Sequence, residues 1–256
     1  MMFKKILLSL LALGIFSAVL YGVMRSSATK EAGYEPIRTS PTSQTPAPTE
    51  TPKDSEKTES TKTQLPKKFI LEVPFTPQAP TANWDELHNE ACEEASVLMA
   101  NAFLNGDTRN TLPPEETEKE IEKLTKWQQE KLGYYLSIDS EETVRMTESV
   151  YGLKAEVIRD FSEETIKTAL TQNKVVLVPV NGRLLGNPYF QQPGPIYHMF
   201  IIKGYDEKSF IVNEPGTKRG RDYRYTYETI KNAIGDYDHD KKETVPSKPA
   251  IIIVSK

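Results

Sequence analysis

The sequence predicts an α+β domain, and three observations predict it. Between residues 89 and 170 apolar side chains recur at helical spacing. After residue 173 they gather into short, β-branched runs separated by Gly, Pro and Asn. The two patterns follow one another instead of alternating, which points to an antiparallel sheet rather than βαβ units.

Two segments of different character precede that domain. Residues 6–24 form a nearly unbroken apolar run after Lys4 and Lys5; at about 19 residues it is long enough to span a hydrocarbon core, with the lysines holding the N-terminus in the cytoplasm. This length favours a retained signal anchor within residues 1–28 over a cleaved signal peptide, whose apolar region is usually about 7–15 residues. Ser26 and Ala28 would nevertheless serve as a small-residue cleavage site. Either way the rest of the chain is expected outside the cytoplasm, tethered by a single-pass membrane helix or secreted. Residues 29–66 are Ser, Thr, Pro, Lys and Glu with almost nothing apolar, a composition that cannot bury enough surface to order itself. They are expected to form a disordered linker, extended by its prolines.

The folded domain is expected at 67–256. Within it, Ala91, Ala95, Leu98 and Ala102 mark one buried face of a helix over 89–103, with Asn89 as its cap. A charged helix over 113–126 opens on PPEE, and 141–151 and 163–170 also read as helices. Strands are expected at VVLVPV (175–180), at MFIIKGY from Met199, at FIVN from Phe210 and at AIIIV near the end. Pro179, lying inside the first of these, predicts an edge strand or a bulge.

Composition removes one class of function. The net charge is −4 and the sequence pI is near 5.6, and no basic cluster follows the first few residues, so the footprint of a nucleic-acid binder is missing. Cys92 is the sole cysteine, which excludes an internal disulfide and leaves a thiol that is filler, an intermolecular link or a reactive group.

Four positions suggest the last. Cys92 falls about three residues into the first predicted helix, where free N–H groups and the helix dipole favour a thiolate, although Glu93 and Glu94 partly oppose this. Of three histidines, His88 precedes that helix and His239 sits in the charged run DYDHDKKE. His198, at the head of the strand HMFIIKGY, is the one that an apolar strand would hold rigidly at a sheet rim, as a general base requires. If a hairpin closes through 204–209, Asn213 or Glu214 of NEPGT lies beside His198 and could accept the imidazole N–H. Gln78, in a loop fixed by Pro77 and Pro80, could donate to an oxyanion. The alternating tyrosines of RGRDYRYTYETI, from Arg219, could line a substrate groove but read more simply as a half-exposed strand or loop.

Taken together, VPF-x-x-Q-x-P-x-x-x-W before a helix-borne Cys, then YHMFIIKGYD, then VNEPGT, resembles the papain-like cysteine peptidases related to the bacteriocin-processing peptidase domain, the C39-like family, over roughly residues 69–254. The resemblance implies a papain-like fold, Cys92 as nucleophile, His198 as base, Gln78 as oxyanion donor and the acidic residue before Pro215 as the orienting member. Here that residue is Glu214 where the family usually has Asp, so Asn213 stays a candidate, and Glu93 stands where the family often has Gly. The implied reaction is hydrolysis of a peptide or protein substrate through an acyl-enzyme, with no metal or organic cofactor. The same thiol chemistry would serve an amidase or a transpeptidase on cell-wall peptides, and the same fold would serve an inactive surface-binding module.

Overall fold

A computed structural model describes residues 64–256. The membrane helix expected at 6–24, and all but the end of the linker expected over 29–66, lie outside the described residues; among the described residues no helix is long and apolar enough to cross a membrane.

The chain runs β1 (Phe69–Ile70), α1 (Glu86–Asn89), α2 (Cys92–Leu104), α3 (Pro114–Lys131), α4 (Ser140–Tyr151), β2 (Lys154–Ile158), α5 (Glu163–Thr171), β3 (Val175–Val180), a 3₁₀ turn (Gly182–Leu185), β4 (His198–Tyr205), β5 (Ser209–Asn213), β6 (Tyr223–Thr226), α6 (Tyr227–Ala233), β7 (Asp236–Asp238), β8 (Glu243–Val245) and β9 (Ile251–Ser255). The main sheet has the order β2-β9-β3-β4-β5-β6, with β1 paired to the far end of β4. Every pairing in it is antiparallel. This is the expected mixture of helices and antiparallel sheet. The separation of helices from strands is incomplete, because β2 lies between α4 and α5 and joins the sheet beside the C-terminal strand.

Helix boundaries follow local chemistry. Helix α3 opens with a proline at its first position and Glu115 and Glu116 in its first turn, where the missing N–H is harmless and negative charge faces the dipole. Capping boxes start α4, from Asp139 and Glu142, and α5, from Ser162 and Thr165; Gly152 ends α4 with φ of 66°, a left-handed conformation that glycine adopts without a Cβ clash. Every residue of β3 and of β4 is buried, so the sheet's centre is covered on both faces, and α2 and α5 both pack against these two strands.

Two expectations are corrected. Asn89 does not cap the helix that bears Cys92: it ends the short α1, and α2 begins at Cys92 itself, with Ala91 as a cap residue that offers no side-chain hydrogen bond. The strand bearing Pro179 is interior, not an edge, since β3 lies between β9 and β4. The proline is tolerated because β9 pairs with β3 only as far as Leu177, leaving Pro179 beyond that ladder, where a missing N–H breaks no rung on that side.

Candidate active site

The start of β4 and the start of α2 meet at one groove of about 920 Å³, which Cys92, His198 and Gln78 all line. Each arrives there for a different reason. Cys92 occupies the first position of α2, where backbone N–H groups lack intrahelical acceptors. His198 is the first residue of β4 and only 2% exposed, held by the register Val180↔His198. Gln78 follows Pro77 in the loop after β1, and its backbone N–H donates to the Pro215 carbonyl at 2.9 Å, which ties that loop to the NEPGT turn.

The imidazole is oriented by Glu214. The β4–β5 hairpin, closed by Asp206 N–H donating to the Ser209 carbonyl at 3.0 Å, brings Glu214 just past β5, with Oε1 2.5 Å from His198 Nε2. Glu214 is fully buried and its oxygens are otherwise satisfied: Gly216 N–H donates to Oε1 at 2.9 Å and the Tyr225 hydroxyl to Oε2 at 3.0 Å. Asn187 Nδ2 in turn donates to the Tyr225 hydroxyl at 2.8 Å. A buried charge supplied with this many donors is fixed in direction. With Nε2 committed to Glu214, Nδ1 is the ring nitrogen left for a proton from the groove.

Asn213 does different work. Its Nδ2 donates to the carbonyls of Val73 and Pro74, both at 3.0 Å, and its Oδ1 accepts from Asp222 N–H at 3.3 Å; it staples the segment after β1 to the sheet. Between the two candidates left open by the sequence, the contact with His198 is Glu214's.

The thiol is held by a second carboxylate. Cys92 Sγ donates to Glu93 Oε2 at 2.9 Å, and Glu93 Oε1 accepts from Ile138 N–H at 2.9 Å. Burial, then the charge of Glu93, push the Cys92 thiol well above its ordinary range. Burial likewise pushes Glu93 up to about 7. Glu94, buried beside them with Oε1 2.5 Å from Gln128 Nε2, is also raised by burial and by Glu93. Gln78 is in the groove but not aimed as an oxyanion donor: its Nε2 donates to the carbonyls of His88 and Asn89 at 2.8 and 3.0 Å.

The other two histidines stand apart. His88 is buried in α1 with Nδ1 2.7 Å from Asp85 and Nε2 2.7 Å from Glu118. His239 is exposed, 2.8 Å from Glu142. Reasoning from sequence missed Tyr225 and Asn187, the supports of Glu214. The alternation of YRYT held the signal for the first, since Tyr225 is the buried position of β6; nothing local marks Asn187.

No curated protein matches the chain. A crystal structure of a Bacillus anthracis protein assigned to the C39-like peptidases is similar over 74% of this chain and 98% of its own, at 15% identity and a TM-score of 0.48. The sequence model of the Peptidase_C39 like family matches residues 70–245, a span that begins in β1, ends with β8 and contains every side chain of the groove. On that match, which takes in most of the chain, the protein belongs to the Peptidase_C39 like family.

Proposed function

We propose that the chain is a cysteine peptidase that hydrolyses peptide bonds through an acyl-enzyme on Cys92, with His198 as general base and acid and Glu214 as the orienting carboxylate. The observation that carries the reading is the buried His198–Glu214 pair, 2.5 Å apart, on a groove that also contains the chain's sole thiol. In the reaction His198 Nδ1 takes the thiol proton, sulfur attacks the substrate carbonyl, and the imidazolium returns that proton to the leaving amine. Water, activated by the same ring, then releases the acyl group. The backbone N–H of Cys92, free of an intrahelical acceptor at the head of α2, supplies one oxyanion donor. Gln78 joins it only once its amide leaves the His88 and Asn89 carbonyls. The apolar run at 6–24 and the polar stretch after it support placement outside the cytoplasm on a membrane tether.

A second reading, a surface-binding module without turnover, draws on two contacts: the thiol donates its proton to a hydrogen bond with Glu93, and the donors of Gln78 are spent on backbone carbonyls. One experiment separates them. The full-length protein is incubated with a mixed peptide pool and with iodoacetamide at neutral pH. The peptidase reading expects new peptide termini, and alkylation of Cys92 that slows at least tenfold in His198→Ala; no cleavage together with equal labelling rates would retire it in favour of the binding module. Products joined to added amines would assign the acyl-enzyme to transfer instead of hydrolysis.

A further inference from the structure

Glu93 is the titratable group nearest the sulfur, and the peptidase cycle above gives it no task. Its carboxylate is 1% exposed, lies against the reacting sulfur through Oε2, and is held from behind by the backbone N–H of Ile138 on Oε1. A carboxylate in that position is a poor neighbour for a thiolate and a good one for a thiol. If the thiol proton simply passed to His198 while Glu93 stayed ionised, two negative atoms in hydrogen-bond contact would be left in a buried site, an arrangement that burial penalises heavily. If Glu93 carries a proton, its O–H points at sulfur and stabilises the thiolate instead.

We propose that Glu93 is the proton-holding partner of Cys92: the nucleophile forms only when Glu93 is protonated and donates its O–H to the thiolate, so the site is switched off as that proton is lost. The proposal rests on the reading of Cys92 and His198 as a reacting pair. The proton count is explicit. The resting site holds one proton between sulfur and Glu93, as S–H···⁻O₂C. The productive site has taken one more from solvent: the carboxyl is neutral, the original thiol proton is on His198, and sulfur is the anion. During attack a carbon–sulfur bond forms, the carbon–nitrogen bond breaks and the imidazolium proton goes to the amine. Glu93 keeps its own proton throughout.

The surroundings favour a neutral Glu93. Facing it or its sulfur partner are Glu94 on α2 and Glu90 in the turn before it, both carboxyls with raised proton affinity. Tyr197, just before β4, and Tyr237, on β7, feel its charge and are themselves raised. From the segment before α4 comes only the Ile138 N–H, since the Ser137 hydroxyl is taken by Glu90 at 3.0 Å. No lysine or arginine pairs with Glu93 among the described residues. Burial, with a smaller push from the charge of Glu90, lifts its titration to about 7 against the opposing hydrogen bonds from the Cys92 thiol, the Ile138 N–H and its own N–H, within the range where a modest change of pH changes its state.

This arrangement has a signature that an ordinary thiol lacks. Iodoacetamide labelling of a free cysteine accelerates as pH rises, because thiolate accumulates. Here the rate for the wild-type protein is expected to fall, by about tenfold per pH unit above 7, as the proton on Glu93 is lost. Glu93→Gln keeps an acceptor for Ile138 N–H and places a permanent N–H donor at sulfur, so labelling is expected to stop falling between pH 6 and 8 and to exceed the wild-type rate at pH 8. A wild-type rate that climbs through this range overturns the proposal, as does an unchanged falling profile in Glu93→Gln. Should the variant not fold, the wild-type profile decides alone. None of these readouts uses a peptide substrate: absence of cleavage in the earlier experiment would count against hydrolysis alone, while the pH profile of labelling decides the shared proton.

Discussion

Gly220→Ala tests whether the site depends on a backbone packed without room for a side chain. A Cβ at Gly220 would sit 1.7 Å from the carbonyl oxygen of Glu214 and 2.9 Å from its Cβ. A carbon–oxygen contact is comfortable at about 3.3 Å, so the two strands of backbone must part by roughly 1.6 Å, and the movement falls on the residue that orients His198. The hydrogen bond from Glu214 N–H to the Gly220 carbonyl, 2.9 Å long, is stretched with it. Overpacking of this kind costs about 1–3 kcal/mol, which in a domain of this size lowers Tm by about 2–4 °C per kcal/mol. Displacement of a positioning group by about 1 Å costs on the order of 100-fold in rate. Thermal unfolding and Cys92 alkylation at pH 6.5 are measured side by side, with Gly106→Ala as the control, because that glycine has φ of +82° but open space around it. The control should lose stability and keep its labelling rate; Gly220→Ala should lose both. Wild-type labelling in Gly220→Ala, or equal losses of labelling in the two variants, would refute the reasoning.

Glu214→Gln should slow alkylation and any peptide cleavage by roughly 10²–10³-fold, since it removes the counter-charge of the imidazolium at hydrogen-bond distance, worth about 4 kcal/mol at an effective dielectric near 20. Asn213→Ala should instead lower stability by about 2–4 kcal/mol, through the two carbonyls and one N–H it leaves unpaired, with a labelling rate within a few-fold of wild type; calorimetry and alkylation on the same samples check both. Stability should also fall between pH 5 and 8. Glu93 binds its proton more tightly folded, at about 7, than at its ordinary 4.5, so its stabilisation is complete below the lower value and lost as pH rises through the upper one, amounting to about 3 kcal/mol. Urea unfolding across that range should show a slope that Glu93→Gln flattens.

Much of this molecule can be read from its residues, and what escapes reading has physical causes. The long helices and the strands from Val175 to Asn213 announce themselves because each buries a regular stripe or a continuous β-branched run. Short elements do not: β1, β7 and β8 have two or three residues, too few for any period, and β6 pairs through alternating tyrosines that suit a loop as well. The boundary between α1 and α2 was invisible because Asn89 is a good cap by type, yet tertiary packing gave that place to Ala91. At the site, spacing could put Asn213 and Glu214 near His198 but could not choose between them, since neighbours on a strand point to opposite faces and the register of the hairpin decides which is which. Glu93 was legible only as an opposing charge; its contact with sulfur needed coordinates.

One consequence follows from how β1 is attached. It pairs with β4 at Phe69↔Tyr205, whereas His198 begins that strand, and seven residue steps at about 3.3 Å place the two ends roughly 23 Å apart. The described chain therefore joins the sheet at the end of β4 away from the imidazole, so that β1 takes no edge of the groove.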